Sequence, residues 1–316
     1  MQKPQLYVVA GPTASGKTAV AIALAKQVNG EIISADSMQI YKYMDIGTAK
    51  PTQAEMDGIP HHLLDVALPS DSFSVAEYTQ LVTAAISDIQ SRNHVPILAG
   101  GTGFYINAVI YGTQFSEAEE GQHEKDNQLR KAYMQLAAEK GVFFLHEKLQ
   151  ATDPESAKAI HPNNIKRVAR ALSFCESTGL LFSAHNAGQK ASTAKYKTNF
   201  TILTMPREIL YARINARVIA MWEAGLPEEV SSLLSQGYSP GLVAMQGIGY
   251  KEMIPYINGY QTKEDTIAQI QQATRNYAKR QETWFRHQAK NASSVDVHDK
   301  TLKQIAEEIL QCSTIT

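Results

Sequence analysis

Three short apolar runs in the first third of the chain predict buried strands, at residues 6–10, 31–35 and 95–99. Between them, residues 18–28 and 75–89 place apolar side chains at the spacing of one helix face. Ser74, three residues before Glu77, predicts a capping box at the start of the second of these helices. Buried strands that alternate with helices are typical of a parallel α/β sheet.

The pattern changes after about residue 113. Glu, Asp, Gln and His dominate residues 116–127, and helical periodicity without strands then follows at residues 128–140, 142–149 and 165–177. Residues 183–197 contain many small and polar side chains and predict a loop. We therefore predict a helical insertion over residues 113–197.

A further apolar run at residues 200–205 predicts that the sheet resumes after this insertion. Helices follow, and a last strand and a last helix are predicted at residues 294–297 and 302–310. Residues 1–112 and 198–316 are therefore expected to form one α/β domain that is interrupted by the helical segment.

The amino-acid composition is typical of a soluble globular protein. The chain of 316 residues is 44% hydrophobic and 19% charged, and its formal net charge of -1 means that any basic surface must be local. Cys175 and Cys312 lie far apart, which argues against disulfides and zinc and favours a reducing compartment. No apolar run approaches the ~18 residues of a membrane span, and the N-terminus shows no signal peptide, so we expect a cytoplasmic protein.

Residues 11–18 match the phosphate-loop pattern of Gly, four residues, then Gly-Lys-Ser/Thr. A predicted strand enters this segment and a predicted helix leaves it, as the motif requires and a chance glycine turn does not. Such a loop turns backbone N–H groups towards an anion, while Lys17 adds positive charge and the Thr18 hydroxyl can bind Mg²⁺. The motif leaves open whether the phosphates belong to a nucleotide.

Polar residues also follow the second and third predicted strands. Asp36 follows the second strand, and a glycine cluster at residues 100–103, which contains Thr102, follows the third. Because ligands of parallel sheets bind outside the carboxyl ends of the strands, these groups and the phosphate loop are expected to face one crevice. We interpret Asp36 as a functional carboxylate, with a magnesium-binding carboxylate and a helix cap as alternatives. The glycine cluster permits close approach of the backbone to a ligand, with a tight turn as the alternative.

Histidine and basic residues allow two interpretations each. His61 and His62 resemble a metal-binding pair, but successive residues rarely point at one ion, so one hydrogen-bonded and one exposed histidine are favoured. Arg275, Lys279 and Arg286 share one face of a predicted helix, where they can follow a nucleic-acid backbone or simply be solvated.

Seven short motifs occur along nearly the whole chain, at residues 11–18, 36–41, 47–51, 60–62, 100–105, 163–164 with Arg167, and 278–281. In this order they closely resemble the bacterial tRNA dimethylallyltransferases, the IPP transferase family. The resemblance implies a P-loop NTPase-like parallel sheet flanked by helices, with an inserted all-helical domain that contacts the tRNA anticodon arm. It also implies transfer of a dimethylallyl group from its diphosphate to the exocyclic amine of adenine at tRNA position 37, with magnesium required and diphosphate released.

The resemblance assigns roles to residues of this sequence. Asp36 matches the general base that takes the proton of the adenine amine, with Thr102 beside it. Diphosphate contacts are implied for Gly11, Pro12, Thr13, Ala14, Ser15, Gly16, Lys17, Thr18 and Arg217, and a magnesium contact for Thr18. RNA contacts are implied for Asp36, Ser37, Met38, Gln39, His61, Thr102, Arg130, Lys166, Arg167, Val168, Ala169, Arg170, Gln246, Gly247, Ile248, Gly249, Tyr250, Lys251 and Lys279. The expected partners are tRNA and dimethylallyl diphosphate, without a membrane, and the expected state is a monomer.

Three other functions use some of the same features. A small-molecule kinase would need the phosphate loop but does not account for the motifs around Asp36 and Thr102. A prenyltransferase acting on free adenine nucleotides shares the loop and the base, but the long helical insertion and the basic C-terminal helix argue against it. A non-catalytic RNA-binding module is disfavoured because Asp36 and Lys17 are predicted to face one crevice.

Overall fold

The computed structural model describes residues 4–112, 122–190, 194–289, 291–312 and 314–315. It divides into two compact units, one formed by residues 1–112 and 194–316 and the other by residues 113–193. In the described part of the chain, no helix has both the length and the hydrophobicity that crossing a membrane requires.

The first unit is built on a parallel sheet, which confirms the predicted fold class. Its strands are β1 (Gln5–Ala10), β2 (Gly30–Ser34), β3 (His61–His62), β4 (Val95–Gly100), β5 (Lys197–Thr204) and β6 (Ser293–Asp296). They are ordered β3-β2-β4-β1-β5-β6 and all run parallel, while β7 (Thr314–Ile315) pairs antiparallel with β5. Val8 on the central strand β1 is aligned with Leu98 on one side and Phe200 on the other.

Helices are numbered along the whole chain. The first unit contains α1 (Lys17–Val28), α2 (Gln53–Met56), α3 (Val75–Ser91), α4 (Gly103–Tyr111), α10 (Arg207–Glu223), α11 (Leu226–Ser235), α12 (Tyr250–Ile257), α13 (Lys263–Gln288) and α14 (Leu302–Gln311). The second unit contains α5 (Gln122–Lys140), α6 (Val142–Thr152), α7 (Pro154–Ala159), α8 (Ile165–Thr178) and α9 (Phe182–Lys190). The predicted capping box is present, because the Ser74 side chain accepts from the Glu77 N–H and the Glu77 carboxylate accepts from the Ser74 N–H.

The two faces of the sheet are both covered, as continuous apolar strands require. Successive residues of a strand point to opposite faces, so Val8 belongs to a core that includes α3, whereas Val9 belongs to a core that includes α1 and α14. Helix α3 contributes Tyr78, Val82, Ile86 and Ile89 to the first of these cores, and all four side chains are buried. Because helices pack on both faces of the sheet, the polar loops emerge at the carboxyl ends of the strands.

The turns after β2 and β4 lie against each other at these ends. A Cβ on Gly100 would lie 2.1 Å from the carbonyl oxygen of Ala35, so only glycine allows this approach. The Thr102 N–H donates to the same Ala35 oxygen at 3.1 Å. The predicted glycine cluster is therefore required for bringing Thr102 beside the residue that precedes Asp36.

The second unit is helical throughout its described residues. Its core is formed mainly by α5, α6 and α8, and includes Leu145, Leu149, Val168 and Leu172. The predicted helix at residues 165–177 is confirmed as α8, whose N-cap residue Asn164 accepts from the Arg167 N–H through its side chain. Part of the predicted acidic segment 116–127 lies outside the described residues, and the rest belongs to α5.

The loop predicted at residues 183–197 is wrong for residues 183–190, and residues 191–193 lie outside the described part of the chain. Residues Phe182–Lys190 form α9, and β5 begins at Lys197. Helix α9 is held by the buried Phe182 and by the Ser183 N–H, which donates to Asp153 Oδ2 at 2.8 Å. Of the side chains described at residues 182–187, only Phe182 is buried, which explains why the sequence of this helix is rich in small and polar residues. Its tertiary contacts outweigh its weak intrinsic helix preference.

Candidate active site

The phosphate loop connects the end of β1 at Ala10 with the start of α1 at Lys17. The first N–H groups of a helix have no partner within the helix, so this junction presents donors to an anion. The Ser15 hydroxyl is buried and has no hydrogen-bond partner among the described residues. A buried hydroxyl of this kind is costly unless an acceptor such as a phosphate oxygen satisfies it.

Two cations lie at this loop. Lys17 Nζ donates to the Pro12 carbonyl oxygen at 2.7 Å, and Arg217 Nη1 on α10 donates to Thr13 Oγ1 at 3.5 Å. Burial, followed by the positive charge of Arg217, lowers the pKa of Lys17 to about 8, and the negative charge of Asp36 partly opposes this. Burial likewise lowers the pKa of Arg217, again opposed by Asp36. The two cations and the carboxylate are therefore close enough to influence one another.

Asp36 and Thr102 are joined through the backbone of the turn between them. Asp36 Oδ1 accepts from the Met38 N–H at 2.9 Å, and Thr102 Oγ1 accepts from the Ser37 N–H at 3.2 Å. In the described chain, the next helix after Asp36 begins only at Gln53, so the helix-cap interpretation of Asp36 is wrong. The convergence of the phosphate loop, Asp36 and Thr102 at three strand ends agrees with the prediction from the sequence.

Helix α13 presents three side chains to the turn after β4. Tyr277, Gln281 and Trp284 lie on one helix face, since they are spaced by four and three residues. Burial, followed by the negative charge of Asp36, raises the pKa of Tyr277 to about 12, and the side chains of Thr102 and Gln281 partly oppose this. Trp284 packs so closely that a Cβ on Gly103 would lie 2.1 Å from its ring. From the sequence, Gln281 was only the last residue of the motif at residues 278–281.

The side-chain amide of Gln39 is committed to protein groups. Its Oε1 accepts from Ser34 Oγ at 2.9 Å, and its Nε2 donates to the carbonyl oxygens of Thr48 and Ala49 at 3.3 and 3.2 Å. This differs from the expectation that Gln39 contacts RNA directly, because both ends of the amide hold residues 48–49 in place. Ser37 and Met38 beside it are half-buried.

Glu229 on α11 is a second polar residue that the sequence analysis missed. Its carboxylate accepts from three successive backbone N–H groups, those of Asp45, Ile46 and Gly47, at 2.9, 2.7 and 3.1 Å. It also accepts from the Tyr250 hydroxyl at 2.6 Å. One carboxylate thus connects the loop at residues 45–47 with the first residue of α12.

The segment at residues 246–251 divides into exposed and buried positions. Gln246 and Lys251 are exposed, Gly247 and Ile248 are half-buried, and Gly249 is buried. Tyr250 is fully buried against Gly47, so its side chain is not available for the RNA contact expected at this position. Its hydroxyl is instead used by Glu229, so its role is to hold the two loops together.

The two histidines form hydrogen bonds rather than a metal site. His61 Nδ1 bonds the Ile59 carbonyl oxygen at 2.8 Å, and His62 Nε2 bonds Glu31 Oε2 at 2.7 Å. Both rings are half-buried, so the expectation that one is exposed is wrong. Within the described ranges, no group of three or more His, Cys, Asp or Glu residues is arranged to bind a metal.

In the second unit, Arg170 interacts electrostatically with Arg130, Arg167 and Asp126. Arg130 forms an ion pair with Asp126, and burial, followed by the charge of Arg130, lowers the pKa of Arg170. Arg167 acts on Arg170 in the same direction. Lys166 and Arg167 are exposed, whereas Val168 and Ala169 are buried in the core of this unit. The side chains of Val168 and Ala169 therefore do not offer the predicted RNA contact.

These features define the class of protein. The strand, loop and helix that hold Lys17, with a carboxylate after β2 at the same edge of the sheet, make the first unit a P-loop α/β domain equipped for group transfer rather than for anion binding alone. The chain belongs to the IPP transferase family, whose family model matches residues 39–288.

Known proteins agree with this family. The chain is 51% identical over 284 residues to the tRNA dimethylallyltransferase of Geobacillus thermodenitrificans, covering 90% of this chain and 88% of that protein. A solved tRNA delta(2)-isopentenylpyrophosphate transferase from Staphylococcus epidermidis is similar with a TM-score of 0.71 and 43% identity, covering 98% of both chains. A eukaryotic dimethylallyltransferase acting on tRNA has a TM-score of 0.77 and 29% identity, covering 94% of this chain and 74% of that one.

Proposed function

We propose that this protein transfers the dimethylallyl group of dimethylallyl diphosphate to the exocyclic amine of the adenine beside the anticodon of tRNA. The observation that carries the proposal is the meeting of Lys17 and Arg217 with Asp36 at one end of the sheet. Such an arrangement suits a reaction with an anionic leaving group and a nucleophile that must lose a proton. The relatives named above act on the same substrate class by their names.

The leaving group is stabilised by the phosphate loop. As the bond between the allylic carbon and the diphosphate oxygen breaks, negative charge builds on the diphosphate. Backbone N–H groups, the Ser15 hydroxyl, Lys17 and Arg217 offset this charge in a partly buried site, where such interactions are stronger than in water. Diphosphate binding also favours the protonated form of Lys17.

Asp36 accepts the proton of the nucleophile. The amine of adenine is a weak nucleophile because its lone pair is shared with the ring, so a base must remove a proton as the new C–N bond forms. Asp36 Oδ1 is held by the Met38 N–H, which fixes the carboxylate at the crevice. Thr102 lies beside it and accepts from the Ser37 N–H.

Magnesium fits the phosphate end of this crevice. Thr18 is half-buried in the first turn of α1, and hydroxyl and phosphate oxygens are the hard ligands that Mg²⁺ prefers. The Ser15 hydroxyl in the same loop is buried without a hydrogen-bond partner among the described residues, which a phosphate oxygen would satisfy. A bound phosphate group in turn favours a Mg²⁺ ion beside it. When bound, the ion supplies positive charge next to the diphosphate.

The RNA is bound by local basic patches. The net charge of -1 gives no general attraction to a polyanion, so contacts must come from clusters. We assign this role to Arg130, Arg167, Arg170 and Lys166 in the second unit. In the first unit, Lys251 and Lys279 are exposed and serve the same purpose.

The direct test is transfer of label from radioactive dimethylallyl diphosphate, offered with magnesium to an unmodified tRNA that has adenine beside its anticodon. The matched control is the same tRNA with guanine at that position, and free AMP is tested separately. Label in the adenine tRNA alone is expected. Label in AMP would assign the protein to the nucleotide prenyltransferases, and ATP turnover with no label in any acceptor would favour a kinase.

A further inference from the structure

Gln281 lies between the two halves of the proposed active site. It is only 6% exposed, although it carries a polar amide on α13. The Thr13 N–H of the phosphate loop donates to Gln281 Oε1 at 2.8 Å, and Gln281 Nε2 donates to the Gly101 carbonyl oxygen at 3.0 Å. The side chain therefore bonds the loop after β1 to the turn after β4.

The fit around this amide is close. A Cβ on Gly101 would lie 2.2 Å from Gln281 Nε2, so the amide rests directly on the turn. Thr13 also accepts from Arg217 through its hydroxyl, and Gly101 immediately precedes Thr102. Each bond of Gln281 thus ends on a residue adjacent to, or in contact with, a group that acts in the proposed reaction.

We propose that Gln281 is a positioning residue that sets the separation between the leaving group and the accepting amine. This inference rests on the proposed function. The diphosphate is held by the loop after β1, whereas the amine is held at Asp36 and Thr102 after two other strands. In-line transfer requires the reacting atoms to be about 3–3.5 Å apart, and a displacement of about 1 Å can cost roughly a hundredfold in rate.

Glutamine has the chemistry that this place demands. A planar amide offers an acceptor at one atom and a donor at the next, and here each serves one side of the crevice. Because the Thr13 N–H is already used by Gln281, the diphosphate is left to the later N–H groups of the loop. Thr13 then contributes through its hydroxyl and Arg217, which modifies its predicted diphosphate contact.

The test compares Gln281→Met, Gln281→Glu and the control Gln271→Met with the unaltered protein. Methionine keeps the volume but removes both hydrogen bonds, whereas glutamate keeps only the acceptor for the Thr13 N–H. Gln271 is matched because it lies on the same helix and bonds the Asn215 carbonyl oxygen at 3.1 Å through its amide. For each protein, kcat and both KM values are measured in the transfer assay, and binding of inorganic diphosphate is measured by calorimetry.

We expect Gln281→Met to lower kcat by about tenfold to a hundredfold, while its affinity for inorganic diphosphate changes less than about threefold. Gln281→Glu should also lower kcat, and Gln271→Met should leave kcat within about twofold of the unaltered protein. If Gln281→Met folds and keeps full kcat at saturating substrates, or if Gln271→Met loses as much, the inference is wrong. If Gln281→Met does not fold, the inference is judged on Gln281→Glu, and full kcat of that variant at saturating substrates would show it to be wrong. Absence of transfer by the unaltered protein would instead refute the proposed function.

Discussion

Lys17 interacts electrostatically with a second cation and with a carboxylate, and this setting couples its protonation to anion binding. Burial and Arg217 lower the pKa of Lys17 to about 8, so part of the lysine population is neutral in mildly alkaline solution before any anion binds. A bound diphosphate would raise the pKa of Lys17, because its negative charge favours the ammonium form. The residue thus takes up a proton when the anion binds.

Diphosphate affinity should therefore depend on pH in one direction. Below about 8, Lys17 is already protonated and contributes no slope; above it, affinity should fall by up to about tenfold per pH unit. Calorimetric titration with inorganic diphosphate, at pH values below and above this pKa, measures the change in affinity. In a Lys17→Arg variant the guanidinium stays charged, so the alkaline decline should disappear, and a decline that persists would assign it to another group.

Asp36→Asn should separate catalysis from binding. The amide oxygen can still accept from the Met38 N–H, so the turn is preserved, but the basic carboxylate is gone. We expect kcat to fall by about a hundredfold to ten-thousandfold with diphosphate affinity nearly unchanged. A variant with normal kcat and weakened diphosphate binding would show that Asp36 serves the leaving group instead.

At the scale of elements, the sequence predicts groups that follow strands but not those that reach across the fold. The phosphate loop, Asp36 and Thr102 were predictable because each comes directly after an apolar run, and parallel strand ends meet at one edge. The contacts of Gln281 and Glu229 join residues that are 268 and 184 positions apart, and no local pattern encodes such pairs. Helix α9 was missed for a related reason, since its support comes from Asp153, which lies between α6 and α7 and 30 positions earlier in the chain.

Helix α11 holds the loop at residues 45–47 in place through the side chain of Glu229, and the variant Glu229→Gln tests this role. An amide has a single acceptor oxygen, so at least one pair of the four hydrogen bonds is lost. We expect the free energy of unfolding to fall by about 1–3 kcal/mol and KM for tRNA to rise more than KM for dimethylallyl diphosphate. Denaturant unfolding and steady-state kinetics measure these effects. The adjacent exposed Glu228, changed to Gln, is the control and should behave like the unaltered protein.

At the scale of the whole molecule, we place the reaction in the first unit and RNA-binding cations in both units. The salt dependence of tRNA binding should show which of these cations contact the RNA backbone. Arg167 is exposed on the second unit, and its replacement by Ala should weaken tRNA binding and reduce the slope of log affinity against log salt by about one. Lys158 in the same unit, which is exposed and paired with Glu155, is the control for a cation outside the cluster. An unchanged slope for Arg167→Ala would remove this residue from the RNA surface.

The order of the strands also has a consequence for synthesis on the ribosome. β1 lies between β4 and β5, and β5 begins only at Lys197, after the whole second unit has been translated. Until then β1 is an open edge whose N–H and C=O groups can pair with other chains. At about 5–20 residues per second, the roughly one hundred intervening residues keep that edge open for about 5–20 seconds. The nascent chain is therefore most vulnerable to wrong pairing while its second unit is being made, and Arg217 joins the phosphate loop only after that interval has passed.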